Sequence, residues 1–518
     1  MQKCKKIVFL PILCALFLIP GCSQNPVTGE NELHLVSESQ EISLGEENYF
    51  YMQQAEGGLY TVDPNLQKYV SQVGQKLASV SDRPNLPFAF VVLNNSVPNA
   101  WALPGGKIAI NRGLLVELDC EDELAAVLAH EIVHSAARHS AQAIEKAVLM
   151  EAGILGLQQV LQDHKYEDTL VGTAALGATL VAFKYSRSAE LQADQYGIKY
   201  MQAAGYDPQA AVTLQEKFVK LSEDKDTPWL FGLFATHPPS EQRVLANEKT
   251  VAEYPPGGKK GCAEYQEAIA PLIKDKPAYE DLDGGYKALL SKQYKQAYDL
   301  AVSGIAIEPK EPHLYNLKGK AEVELREYND ALASFTQAID LYPDYFDYYL
   351  QRGRLEYKMG DYTLAKLDLD KSNELLPSAD AYYFLGQVAL KEGNNSLAQQ
   401  YFSYAAQANN ASGQAARTQL GKMQGSSESP LSVQPSCRGG HHLKMLITNN
   451  SHVPIRNIEM QVEFFDYKQR LISKETLVIY ETIPPFGSIK KTTSIRCPKE
   501  ATSSHTVITR YTKEPSKK

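Results

Sequence analysis

Two histidines four residues apart, with a glutamate after the first, form the stretch His130-Glu131-Ile132-Val133-His134. The run before it, from Glu121 to Ala129, is rich in helix formers and carries apolar residues at three- and four-residue spacing, so the stretch is expected on a helix. Positions four apart stack on one helix face, which aims both imidazoles at one point and lets them bind a single zinc ion. Glu131 then stands beside the ion without ligating it, where it can take a proton from water and pass it to a leaving amine. That chemistry is peptide-bond hydrolysis. Two ordinary histidines on a long helix would read the same way, so the assignment depends on a third ligand.

A catalytic zinc site takes three protein ligands and leaves a position for water. A histidine six residues after the second one would supply the third, but that position is Ser140. His139 lies about 140° round a continuing helix from His134 and is expected to face away. The better candidate is Glu190 in Ser188-Ala-Glu-Leu-Gln-Ala-Asp194, a second helical segment. Asp194 lies one turn on, on the same face, and would hydrogen-bond the outer nitrogen of a ligand histidine. The competing reading of this pair is a solvated acidic helix face.

These residues, with Asn99-Ala-Trp-Ala-Leu-Pro-Gly-Gly-Lys-Ile-Ala-Ile-Asn-Arg-Gly-Leu-Leu before them and Thr236-His-Pro-Pro-Ser-Glu-Gln-Arg243 after, resemble the gluzincin metallopeptidases related to the CAAX prenyl-protein protease, over roughly residues 22 to 415. The resemblance implies one zinc ion per chain on His130, His134 and Glu190, with Glu131 and Asp194 in catalytic roles. It also implies that the loop at His237 borders the cleft. Two roles compete for His237: stabilising the tetrahedral intermediate, or binding zinc as a fourth ligand and shutting the site. Arg243 is either an anchor of that loop through a carboxylate or an ordinary surface arginine. For a member with a lipoprotein start and helical repeats, the implied clients are unfolded or misassembled outer-membrane proteins. The implied setting is periplasmic quality control, with the repeat face meeting the barrel-assembly machinery.

The elements that must position this site come from a chain of 518 residues, 44% apolar, enough for several domains. The expected class is multidomain: an α+β, mainly α, zincin-like metallopeptidase domain, an α-solenoid of tetratricopeptide repeats, and a C-terminal all-β immunoglobulin-like sandwich. Residues 1–21, with Lys3, Lys5 and Lys6 before an apolar run to Ile19, read as a signal peptide. Cleavage before Cys22 would make that cysteine the acylated N-terminus, and Ser23 after it implies outer-membrane sorting by resemblance to bacterial lipoproteins. The net charge is −9, or −12 (49 basic against 61 acidic side chains) without residues 1–21. That balance argues against nucleic acid and against a polybasic membrane patch. In an oxidising compartment Cys437 and Cys497 are the expected disulfide, while Cys120 is a buried thiol or pairs with Cys262.

A tether is expected over 22–40 and the peptidase domain over 41–275. Strands are expected from Phe88 and from Lys107, and an extended client could add to a sheet edge within Asn99–Asn111. The apolar runs Ala147–Leu161 and Leu170–Phe183 read as a helical hairpin on the core, the alternative being a lid or membrane-touching element; fourteen residues fall short of the roughly 20 that span a bilayer. His164 between them reads as solvated. From 280 to 414, Tyr294, Tyr328 and Tyr362, then Ala297, Ala331 and Ala365, recur every 34 residues, which is tetratricopeptide periodicity. Residues 415–430 read as a linker and 431–518 as the β-sandwich. A chaperone or assembly scaffold with little proteolytic activity is the alternative function. Against it stands Glu131, which a structural zinc site does not need. A membrane-embedded prenyl-processing enzyme is weaker still, since it requires spanning helices.

Overall fold

Side-chain caps set where several helices begin. Ser37 accepts from the Gln40 N–H ahead of α1 (Glu38–Ala55), and Asp63 accepts from Asn65 ahead of α2 (Pro64–Ala78), whose first residue is proline. A short hairpin, β1 (Cys22–Gln24) and β2 (Asn31–Leu33), precedes them. The computed structural model describes residues 22–146, 185–223, 231–424, 431–437, 440–451, 453–466, 471–501 and 503–513. The expected signal peptide, the runs 147–161 and 170–183, His164 and the end of the expected linker lie outside the described residues, as does the Cys22 side chain. Among the described residues no helix is long and apolar enough to cross a membrane.

The chain divides into two units, 1–405 and 406–518. In the first, β3 (Ala89–Leu93), β4 (Ala100–Leu103) and β5 (Lys107–Asn111) form a sheet in the order β3-β5-β4, parallel between β3 and β5 and antiparallel between β5 and β4. This corrects part of the substrate-strand expectation. Within Asn99–Asn111, β5 is paired on both sides and has no free edge, so only β4 can receive a client strand. A side chain already reaches that edge: Tyr185 Oη donates to the Ala102 carbonyl at 3.4 Å.

Next come α3 (Arg112–Leu115), α4 (Glu121–Ala136), α5 (Arg187–Ala203), α6 (Gln209–Glu223), α7 (Phe231–Thr236) and α8 (Glu241–Val251). No side chain caps α4. Three acids in its first turn complement its dipole instead, and Glu121 accepts from Tyr69 Oη (2.7 Å), Tyr206 Oη (2.8 Å) and Lys259 Nζ (2.6 Å). The Cys120–Cys262 disulfide pins the same end. α5 packs closely on α4 at Gly197, where a Cβ would stand 3.3 Å from the His130 nitrogen.

Helices α9 (Cys262–Lys274), α10 (Lys276–Leu290), α11 (Tyr294–Ile307), α12 (Pro312–Leu325), α13 (Tyr328–Leu341), α14 (Phe346–Met359), α15 (Tyr362–Leu375), α16 (Ala379–Lys391) and α17 (Asn395–Ala405) complete the unit. From α12 on, the first helix of each pair brings a small residue against a bulky one of the second. A Cβ at Gly319 would lie 2.6 Å from the Phe335 ring, and one at Gly386 2.6 Å from Phe402. One apolar core runs from Val27 to Ala321, so peptidase part and first repeats are continuous. Buried polar contacts reinforce that joint: Asn94 Nδ2 donates to Glu311 at 2.8 Å, and Gln54 bonds the backbone of Asp344 and Phe346 at 2.6 and 2.9 Å.

Glu356 sits buried between repeat helices with Oε2 unpartnered. Burial, then the neighbouring Asp368 carboxylate, pushes its carboxyl up to about 7. The unfolded chain sheds this proton near the ordinary carboxylate value and the folded chain keeps it longer, so stability falls as pH rises toward 7. Glu356→Gln is expected to flatten that slope and raise stability at pH 8 by about 1 kcal/mol, discounted for partial solvation. Urea midpoints at pH 5 and pH 8 check this; equal pH slopes for wild type and variant would refute it.

The second unit begins with α18 (Ala411–Gln424) and continues as β6 (Leu431–Ser436), β7 (His442–Asn449), β8 (Ile455–Phe465), β9 (Leu471–Ile479), β10 (Ser488–Arg496) and β11 (Ser503–Lys513). These strands pair into two antiparallel sheets, β10-β7-β6 and β11-β8-β9. Their inward residues, Met445, Ile447, Met460, Val462 and Phe464 among them, share one core. Cys437 and Cys497 are joined.

Candidate metal centre and active site

α4 and α5 together build the site. Successive turns of α4 carry His130 and His134, whose Nε2 atoms lie 3.0 Å apart. α5 carries Glu190 and Asp194 against them, its start fixed by Ser186, which accepts from the Ala189 N–H at 3.2 Å. The turn between α7 and α8 brings in His237. Its Nδ1 lies 3.3 Å from His130 Nε2 and 3.1 Å from Glu190 Oε1. Glu190 Oε1 is 3.6 Å from His134 Nε2, and Oε2 is 3.5 Å from His130 Nε2. One donor atom from each of His130, His134, Glu190 and His237 falls within 4.8 Å of the other three.

These spacings suit a metal. Donors at about 2.0–2.1 Å from a tetrahedral zinc ion stand roughly 3.3 Å apart, and the five donor separations above fall at 3.0–3.6 Å. Three imidazoles and a carboxylate are also zinc's preferred nitrogen and oxygen ligands.

The outer atoms are held by a second layer. His130 Nδ1 donates to Asp194 Oδ1 at 2.9 Å, which leaves its Nε2 lone pair facing the other donors. Arg243 grips Asp194 with Nε and Nη2, each at 2.7 Å, and reaches Glu190 Oε2 with Nη1 at 2.9 Å. Arg243 is thus a buried anchor between both carboxylates of α5, not a surface residue. Ser240 caps α8 and Pro238 accepts from Arg243, so one turn fixes His237 and the arginine together.

His139 requires a correction. A continuing helix would turn it away, but α4 stops at Ala136 and Arg138 takes φ +61°, held by Glu41 and Glu145. The helix is broken at 137–138 before a further helical run begins at 139, and His139 Nδ1 meets His134 Nδ1 at 2.9 Å while its Nε2 meets Gln192 Oε1 at 3.1 Å. An amide oxygen only accepts, so His139 Nε2 carries its proton and His139 Nδ1 accepts from His134. The relay from Gln192 therefore leaves His134 Nε2 free as a ligand. Tyr185 completes the wall, its ring stacked 3.8 Å from that of His134. Sequence reasoning missed Gln192 and Tyr185; Gln192 lay inside the quoted helix segment, and no pattern marked Tyr185. His139→Phe is expected to lower metal affinity about 10–100-fold with the fold retained. Competition with a chelating dye measures it; an affinity within threefold of wild type would remove the relay from the argument.

The electrostatics follow the contacts. Burial opposes charge on Glu190, but His237 and His130 hold its carboxyl far below the ordinary range. Asp194 is likewise held down against burial, chiefly by Arg243. Burial pulls the His130 imidazolium down, yet Asp194 and Glu190 outweigh it and hold it up at about 9. Burial, with His130 and His139 beside it, keeps His134 neutral. Metal uptake at His130 therefore displaces a proton. Glu131 differs from the other acids: burial raises its carboxyl, Oε2 has no hydrogen-bond partner, and Oε1 is 3.6 Å from His237 Nε2. A cavity of about 60 Å³ opens beside it, walled by Leu114, Ala126, Val127, Leu214 and Phe218.

A helix presenting two histidines and a glutamate, a second helix supplying a carboxylate, and a small sheet whose edge strand borders them define the metallopeptidase class. Residues 64–251 match the model of peptidase family M48, and 316–372 and 350–413 match the tetratricopeptide repeat. The chain thus carries a peptidase family M48 domain followed by tetratricopeptide repeats. It is 32% identical over 226 residues to the beta-barrel assembly-enhancing protease of Escherichia coli (strain K12), covering 42% of this chain and 45% of that protein. The putative beta-barrel assembly-enhancing protease of Vibrio cholerae is 27% identical over 299 residues, 54% of this chain and 57% of that one. The mitochondrial metalloendopeptidase OMA1 of Schizosaccharomyces pombe is 34% identical over 191 residues, 36% of this chain and 53% of that one. The chain spans about half the length of the curated relatives it matches.

Proposed function

We propose that this protein is a zinc-dependent endopeptidase that cleaves unfolded or misassembled outer-membrane proteins in the periplasm, tethered to the outer membrane through an acylated Cys22. The observation that carries the chemistry is the donor set at tetrahedral spacing with the unpartnered Glu131 oxygen beside it. Zinc, when bound by His130, His134 and Glu190, supplies Lewis acidity and a water that loses its proton near neutral pH. Glu131 receives that proton and delivers it to the leaving amine, a task suited to a carboxyl whose pKa burial has raised. Asp194 and Arg243 hold His130 and Glu190 in place. The E. coli and V. cholerae relatives support the outer-membrane setting. The repeats, which carry no chemistry of their own, suit the positioning of protein clients and contact with the barrel-assembly machinery.

His237 fills the position that a catalytic site leaves open, so it acts here as a gate: with its Nδ1 among the donors, water has no place. The purified chain should degrade an unfolded outer-membrane protein, lose that activity to a chelator and regain it with zinc. His237→Ala should raise the basal rate, on the order of tenfold if the closed form is the main one. A rate unchanged or lowered in the variant ends the gating reading. Client folding aided without any cleavage, by every form of the protein, would move the chain to the scaffold alternative.

A further inference from the structure

The charge of this chain is divided unevenly. Residues 406–518 carry 16 Lys and Arg against 8 Asp and Glu, a net +8, whereas residues 1–405 carry 36 against 53, a net −17. The overall −9 conceals a basic C-terminal unit.

Two of its lysines, Lys444 and Lys490, stand on the outward face of the β10-β7-β6 sheet. Along β7, buried Leu443, Met445 and Ile447 alternate with His442, Lys444, Leu446 and Thr448, which therefore point outward. The strand register sets Lys490 and Gln434 beside Leu446, and Thr492 and Ser436 beside Lys444. A shallow cavity of about 380 Å³ lies there, with Lys444, Lys490 and Lys491 in its lining and no carboxylate. Lys444 and Lys490 have no acidic partner among the described residues, while Lys491, opposite the buried Met445 and so turned to the other side of the strand, pairs with Glu481. That pair ties the cavity to the β9–β10 connection, which carries Tyr480 and Phe486, 75% and 63% exposed.

We propose that this face docks onto a bilayer rich in anionic lipid. Lys444 and Lys490 take the headgroup phosphates, the neighbouring hydroxyl and amide groups complete their hydrogen bonding, and Tyr480 and Phe486 enter the interface. Single-stranded nucleic acid fits less well, because among the described residues the strand neighbours of Lys444 and Lys490 are aliphatic, hydroxyl and amide side chains rather than aromatic rings on which bases could stack. Such a contact would lay the second unit on the membrane independently of any acyl group at Cys22.

The test uses the full chain carrying Cys22→Ser, sedimented with vesicles of phosphatidylcholine alone or mixed with phosphatidylglycerol. Binding is expected only to the anionic vesicles and should weaken with salt. The double variant K444Q/K490Q should lower partition about 25-fold, since each lysine near an anionic surface is worth roughly fivefold. The pair Y480S/F486S should weaken binding at low and high salt alike. Circular dichroism and retained peptidase activity establish that these surface variants fold. Equal partition into neutral vesicles, no partition into either, an unchanged double variant, or binding to oligonucleotide in place of vesicles would each overturn the proposal.

Discussion

Glu131→Gln is expected to lower kcat for client hydrolysis about 10²–10⁴-fold, the range typical of a lost general acid–base group, while the metal stays bound. The amide keeps the side chain's shape and none of the four donors is touched, but it cannot accept a proton. Wild-type Oε2 is buried and makes no hydrogen bond, so its basicity is not spent on the protein. Burial also raises the carboxyl, which sets the acidic limb of the kcat/KM profile above the ordinary carboxylate range. The variant should lose that limb together with its rate. Zinc content by elemental analysis, measured beside single-turnover kinetics, separates loss of chemistry from loss of metal. Activity within threefold of wild type at equal zinc would falsify the role given to Glu131.

Arg243→Met carries the largest expected stability effect. The guanidinium is buried and pairs with Asp194 and Glu190, which are buried too. Removing it leaves two adjacent carboxylates without their cation, and breaking a buried pair from one side costs about 3–5 kcal/mol. Burial alone would push Asp194 up, and Arg243 is the chief group holding it down, so the variant should also titrate in a range where wild type does not. Urea unfolding in the presence of chelator reads the difference without any contribution from metal. Adding Asp194→Asn should restore part of the loss, because the buried charge then goes as well. A single-variant loss under about 1 kcal/mol would mean that Arg243 behaves like a surface arginine.

Much of this molecule could be read from residue spacing. The His130–His134 stretch and the 34-residue repeats are local patterns, and local patterns survive in a one-dimensional string. The misreading of His139 shows where that stops. Nothing in Ser135-Ala-Ala-Arg-His139 marks a helix end by glycine or proline, and the stop at Ala136 depends on Arg138 being held by Glu41, nearly a hundred residues earlier. Arg243 was ambiguous for the same reason, since both its partners lie on a helix some fifty residues away. The strand pattern of Asn99–Asn111 was visible, but which strand keeps a free edge is a property of sheet order. The basic sheet face was hidden by summing charge over the whole chain.

The Cys120–Cys262 link spans 142 residues, and every donor in the site, together with Glu131, Asp194 and Arg243, lies inside that span. The centre is thus built within one covalent ring. Closing a loop of this length restricts the unfolded chain by about 5 kcal/mol in the entropic account, and the ring closes only once both thiols are oxidised. A single cut anywhere between the two cysteines opens the ring to a linear, still-joined molecule, so a clipped protein would migrate as one species until a reductant is added and as two afterwards.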